Sequence, residues 1–186
     1  MLNPEVSRII QSRMSVYPTL FTGEVIDKEV VEELIQNANT APTHRLTQPW
    51  LFKVFGGSSK QGLVEEIFRL NPAYDDIKKE RLQYKFDKSS HILCIVMKRH
   101  EDKVPEWEEI AATAMAVQNL WISCVDSSLG GYWSSPKYSE DLHSFLGLKS
   151  DERCLGFFYL GKYDASMPLK RDTSLRDPAT SKIEWM

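Results

Sequence analysis

An α+β fold is what this chain predicts, and three observations predict it. Helical patterns fill its first part, while strand-like runs are scattered later without a regular βαβ beat. Two of those runs, His91–Met97 and Arg153–Leu160, are continuously apolar over strand length, as central strands buried on both faces are. Between them lies the longest helical pattern of the chain, from Pro105 to about Leu129. With 186 residues the chain is long enough for one core and short for two, so a single domain over 1–186 is expected.

Each element has a local cause. Asn3-Pro4-Glu5 is a helix start, with Asn3 as N-cap, Pro4 at the first helical position and an acid in the first turn. Val6, Ile9, Ile10 and Arg13 follow at helical spacing and bring Arg13 to the end of that helix. Asp27 opens a second helix, stapled by Ile26 and Val31, whose buried stripe is Val30, Val31, Leu34, Ile35 and Ala38; Pro42 stops it. Trp50–Phe55 alternates as a strand ended by Gly56-Gly57. Ser58 or Ser59 caps a helix with Leu63, Ile67, Phe68 and Leu70 on its apolar face. Asn71-Pro72 repeats the cap-then-proline signature and opens a charge-rich surface helix to Phe86. Along the long helix, Ala111, Ala112, Ala114 and Ala116 allow another backbone to approach, and Val117, Leu120, Trp121, Cys124 and Val125 continue an apolar surface. Tyr132-Trp133 is a short strand or turn, and Ser139 caps a small helix ended by Gly147. After Gly161 the chain is polar and punctuated by proline, with Trp185 placed to pack on something outside its own core.

Composition narrows the function. The net charge is −3 and no basic stripe interleaves with aromatics, so nucleic-acid binding is not expected. No apolar run approaches membrane-spanning length, and the first residues lack the basic-then-apolar order of a secretion signal. Cys94, Cys124 and Cys154 are far apart, odd in number and set in apolar segments, which fits reduced thiols in a cytoplasmic protein. The histidines, His44, His91, His100 and His143, show no metal-ligand spacing, and His100 lies in what reads as a solvated charged loop. Gly57 and Gly62 are spaced like the front of a phosphate loop, but Leu63 and Val64 stand where lysine and a hydroxyl are required.

Three segments remain chemically loaded. Ala41-Pro-Thr-His-Arg-Leu-Thr-Gln-Pro-Trp50 packs hydrogen-bonding side chains between two prolines, in a connection between helix and strand. Ser12–Ser15 offers a helix-end arginine followed by a hydroxyl, and Gly130–Pro136 offers Gly-Gly, an aromatic pair and Ser134-Ser135. Together they suit a ligand with a flat ring, a polyol and a phosphate. Each residue also has a plainer reading. Arg13 can balance its helix C-terminus, Ser15 can end that helix, His44 can bond loop backbone, and Trp133 can be core.

These segments resemble the flavin-dependent nitroreductase family, closest to its short bacterial NAD(P)H nitroreductases. The matching residues are Arg13-Met14-Ser15, the Ala41–Trp50 block, Lys103–Glu108, Leu129–Ser135 after the long helix, and Leu155–Gly161. The resemblance implies a nitroreductase-like fold with a central, mostly antiparallel sheet flanked by helices. It also implies a homodimer with FMN at the subunit interface and an extended C-terminal arm, 162–186, exchanged between subunits. By position, Arg13, Met14 and Ser15 bind the phosphate and ribityl chain. Thr40 and His44 approach the flavin from the other subunit, and Trp133, Ser134 and Ser135 line the ring, with Arg171 as a further phosphate ligand. The implied chemistry is a two-stroke reduction, NAD(P)H to flavin and flavin to a nitroaromatic, quinone or similar small-molecule acceptor, with no catalytic side chain nominated. Other readings on the same fold are reductive dehalogenation, flavin breakdown (with 71–89 as a lid), and a flavin-binding module without turnover. Two departures bear on this. Leu46 stands where many relatives have asparagine, and Tyr17 stands where many carry a cation near the flavin pyrimidine.

Overall fold

Strand β2 (His91–Lys98) is the centre of the molecule, and its sequence explains why. Ile92, Cys94 and Val96 enter one hydrophobic cluster while Leu93 and Ile95 enter another, so the unbroken apolar run serves two faces at once. It pairs antiparallel with β1 (Trp50–Gly56) on one side and β4 (Glu152–Lys162) on the other; β3 (Leu129–Ser134) pairs antiparallel with the far edge of β4. The order is β1-β2-β4-β3. The computed structural model of the chain describes residues 1–167, 169 and 176–186. Among them no helix is long and apolar enough to cross a membrane.

Two layers of helix cover the sheet. One face carries α3 (Ser59–Leu70), with Leu63, Val64 and Ile67 buried, together with Leu142 and Leu146. The other carries α2 (Lys28–Ala38) and α5 (Glu106–Ile122), which pack Val31, Leu34, Ala112, Ala116 and Leu120 together with Leu93 and Ile95. Each buried valine, leucine or isoleucine among them contributes about 1.5–3 kcal/mol. The sheet and its helical covers make the α+β architecture that the order of elements predicts.

Helix α1 (Pro4–Ser12) begins as its sequence dictates, with Asn3 Oδ1 accepting from the Glu5 amide at 2.9 Å, but it buries no residue of its own. Three boundaries differ from expectation. Asn71 does not open a helix; its amide caps the end of α3, and α4 (Asp76–Lys88) starts one turn later, where Asp75 Oδ1 accepts from Lys78 at 2.8 Å. Helix α5 stops at Ile122 rather than near Leu129. Ser123 Oγ donates back to Asn119 at 2.8 Å and Ser127 Oγ to Cys124 at 2.8 Å, so serines compete with the helical ladder and release Leu129 into β3. Ser139 closes a short 3₁₀ turn by donating to the Pro136 carbonyl, and turns rather than a small α-helix lead on to Gly147.

A β-bulge governs the β2–β4 pairing. Cys94 faces Phe157, Ile95 faces Gly156 and Val96 faces Cys154, which leaves Leu155 as the extra residue. The bulge reverses side-chain parity along β4, so Cys154 and Phe157, three residues apart, share one cluster. Only glycine suits its centre: Gly156 has φ +125°, and a Cβ there would lie 2.3 Å from the Ser134 carbonyl oxygen.

Candidate functional site

The end of α1 and the start of β3 are tied together. The Val16 amide donates to the Gly131 carbonyl at 3.0 Å, and Trp121 Nε1 of α5 donates to the Met14 carbonyl at 3.0 Å. The Arg13 guanidinium carbon lies 4.5 Å from the centre of that same Trp121 ring, a cation–π geometry that keeps the charge on an aromatic wall. Met14, Trp121, Ser127, Ser128, Gly130 and Gly131 border a cleft of about 570 Å³, within the range of small-molecule sites. Ser15 is exposed between the two anchored residues Met14 and Val16. Cys124 also borders this cleft, but burial pushes its thiol up to about 12, so it stays protonated there.

The Ala41–Trp50 block is built under strain. Arg45, Leu46 and Gln48 all have positive φ, at 51°, 51° and 43°, a conformation costing on the order of 1 kcal/mol or more per non-glycine residue. Asparagine visits this region more readily than leucine, so Leu46 carries more of this strain than an asparagine would. The Thr43 and Thr47 hydroxyls pair at 2.9 Å, Thr43 Oγ1 accepts from the Gln48 amide at 3.2 Å, and Trp50 Nε1 donates to Asn39 Oδ1 at 3.0 Å. His44 Nδ1 donates to Glu108 Oε2 of α5 at 2.6 Å, which fixes its tautomer. Arg45 donates to the Lys103 carbonyl at 3.0 Å. His44, Trp107, Glu108, Ala111 and Met115 border a second cleft of about 400 Å³. Thr40 lies at the end of α2, donating to the Asn37 carbonyl at 2.7 Å and accepting from Asn119 at 3.2 Å.

The third segment sits beside the bulge. Trp133 Nε1 donates to the Leu155 carbonyl at 3.3 Å, and Ser135 borders a third cleft of about 410 Å³ with Lys137, Arg153 and Cys154. The structure thus joins Arg13 and Met14 to the Gly130–Gly131 end of the third segment. It leaves His44 on a separate cleft that shares no lining residue with the first. Arg171 lies outside the described residues. The Tyr17 ring packs on Tyr132 at 4.6 Å between centroids.

Two groups escaped the sequence reading. Glu108, the partner of His44, stands in an acidic first turn and looks there like a solvated helix-start acid. His100 is not in a solvated loop: its Nδ1 donates at 2.7 Å to Glu109, which is fully buried and also holds Arg99. Neither pairing is legible locally, because the partners come from different elements. The possible lid, 71–89, is fixed at its C-terminal end. Phe86 is buried, and Lys60 Nζ, its pKa lowered by burial, donates to the carbonyls of Phe86 and Ser89.

Residues 10–162 match the profile of the Nitroreductase family. The chain is 28% identical over 179 residues to "Putative NAD(P)H nitroreductase YfhC" of Bacillus subtilis, a stretch covering 92% of this chain and 91% of YfhC. Its fold is similar to the crystal structure of a nitroreductase-like family protein from Bacillus cereus, with a TM-score of 0.83 and 23% identity over 100% of this chain and 98% of that one. It is also similar to the FMN-dependent nitroreductase NfnB from Mycobacterium smegmatis in complex with NADPH, with a TM-score of 0.75 and 14% identity over 98% of each chain.

Proposed function

The chain belongs to the nitroreductase family, and from that premise we propose that it is an FMN-dependent oxidoreductase. In this reading NAD(P)H is the electron donor and a nitroaromatic, quinone or similar small electrophile the acceptor. The observation that carries the reading is the joint between Arg13–Met14 and Gly130–Gly131 around Trp121. It sets a flat aromatic wall and serines on one cleft, with the Arg13 cation stacked on that wall.

That donor set fits FMN. Arg13 and Ser15 hold the phosphate, where a planar guanidinium gives charge-assisted bonds. Met14 lies along the chain that leads to the ring, and Trp133, Ser134 and Ser135 line the ring and its polar edge. FMN, when bound, supplies a ring that takes hydride equivalents from NAD(P)H and gives them to an electrophile. The protein's part is placement and electrostatics, and no side chain acts as nucleophile.

Thr40 and His44 belong to the same site in a homodimer, contributed by the second subunit, with Glu108 orienting His44. Surfaces that one chain leaves bare support this assembly. Val6 and Ile10 of α1 are half exposed, Trp107 beside the His44 cleft is 67% exposed, and Trp185 near the C-terminus is 92% exposed. An arm over 162–186 that packs on the other subunit gives Trp185 its partner. The working place of such an enzyme, with its buried free thiols, is the cytoplasm.

The test is the absorption spectrum of the purified protein, with FMN added back, before and after NADPH under anaerobic conditions. A flavin spectrum that bleaches with NADPH and returns on adding a nitroaromatic or quinone is the expected result. Failure to retain flavin, with no NAD(P)H oxidation, removes the reading. Turnover against halogenated phenols in the same assay separates the reductive dehalogenation reading.

A further inference from the structure

Cys94 and Cys154 are sixty residues apart in the chain, yet their sulfurs lie 3.4 Å from each other inside the sheet. The bulge is responsible. Without the extra Leu155, Cys154 would stand on the face opposite Phe157; with it, both share the face of Cys94. The two thiols are not equivalent. Both are buried, but Cys94 is fully enclosed, whereas Cys154, 4% exposed, forms part of the wall of the third cleft, beside Ser135, Lys137, Ser139 and Arg153. Hydrogen bonding from Cys94 holds the Cys154 thiol below its usual range, and the same contact together with burial drives Cys94 far up.

We propose that Cys94 and Cys154 form a redox-active dithiol that closes to an intramolecular disulfide under hydrogen peroxide, with Cys154 reacting first. Peroxide reaches Cys154 from the third cleft. The Cys154 thiolate attacks one peroxide oxygen; the S–O bond forms, the O–O bond breaks, and the departing hydroxide takes up the proton that Cys154 released. The Cys94 thiol then attacks the sulfenic sulfur. The S–S bond forms, the S–O bond breaks, and the hydroxyl leaves as water with the Cys94 proton. Two thiols lose two electrons and one peroxide becomes two waters. Closing the bond draws the bulge toward β2. Because Gly156 lies against the Ser134 carbonyl and the Trp133 indole, the 133–136 segment registers the change. The chemistry does not depend on the flavin reading.

The Cys124→Ser protein, which leaves the pair untouched, is exposed to peroxide, alkylated in denaturant and weighed intact, then mapped by peptide. The expected product is a monomer lighter by two hydrogens, unalkylated at both positions, with one peptide linking Cys94 to Cys154. In Cys94→Ser the sulfenic acid is trapped by dimedone at Cys154, about tenfold more than at Cys94 in Cys154→Ser, because Cys154 borders the third cleft and Cys94 does not. Hydrogen exchange of amides 133–135 differs between reduced and oxidised Cys124→Ser. Thiols that stay alkylatable, or a link between chains, overturn the dithiol; equal dimedone labelling at the two positions overturns Cys154 as the first to react. A disulfide with unchanged exchange at 133–135 overturns its coupling to the cleft.

Discussion

Gly156→Ala is the substitution that most directly asks whether the bulge positions the site. At φ +125° a side chain is strained by on the order of 1–3 kcal/mol. The added Cβ would also lie 2.3 Å from the Ser134 carbonyl oxygen, 2.9 Å from Trp133 Nε1 and 3.0 Å from Ser135 Cα. Two of those atoms are backbone, so rotating a side chain does not relieve the clash. The 133–135 segment must retreat by about 1 Å to reach ordinary contact distance. A displacement of about 1 Å in groups that place reacting partners costs on the order of a hundredfold in turnover. The strain alone lowers Tm by roughly 2–12 °C for a chain of this size. The control is Gly62→Ala in the interior of α3, where the new Cβ meets nothing within 4 Å; it should stabilise by about 0.5–1 kcal/mol and leave turnover alone. The assay is anaerobic NADPH-dependent flavin reduction by stopped flow, with thermal unfolding alongside. If Gly156→Ala keeps wild-type Tm and turnover within about twofold, the positioning role assigned to the bulge by the distance argument is wrong.

Other consequences follow from individual contacts. Glu109→Ala strands Arg99 and His100, and loss of one partner of a buried pair costs about 3–5 kcal/mol. Because both partners keep 19% side-chain exposure and regain some water, the lower end is expected; urea unfolding at fixed protein concentration that shows a loss under about 1 kcal/mol would rule this out. Arg13→Ala weakens FMN binding by about 10–100-fold in a fluorescence titration, and Arg13→Lys falls between, since lysine lacks the planar fork; equal affinities would remove Arg13 from the site. Burial and the nearby Lys60 hold the His91 pKa below its unfolded value, so the unfolded chain binds the extra proton first as pH falls. Stability from this residue is therefore present above the unfolded pKa and lost as pH drops through the folded one. Tm measured across that acid window should fall less steeply in His91→Gln, and parallel curves for the two proteins would contradict the assignment.

The chain by itself determined whatever depends on short-range physics. The Asn3-Pro4-Glu5 start, the two-faced apolar run of β2 and the hydrogen-bonding density of Ala41–Trp50 follow from spacing within a few residues. The helix-end Arg13 was legible for the same reason. Its position over Trp121 was not, because that ring arrives from a helix more than a hundred residues later. Tertiary structure alone decided the parity of β4, where one extra residue at Leu155 turns Cys154 toward Cys94. It also decided the pairing of His44 with Glu108 and the burial of Glu109 beneath Arg99 and His100. Strand alternation and helix periodicity are properties of the local backbone, whereas a bulge, a salt bridge or a pair of touching thiols exists only once a distant segment supplies the other half.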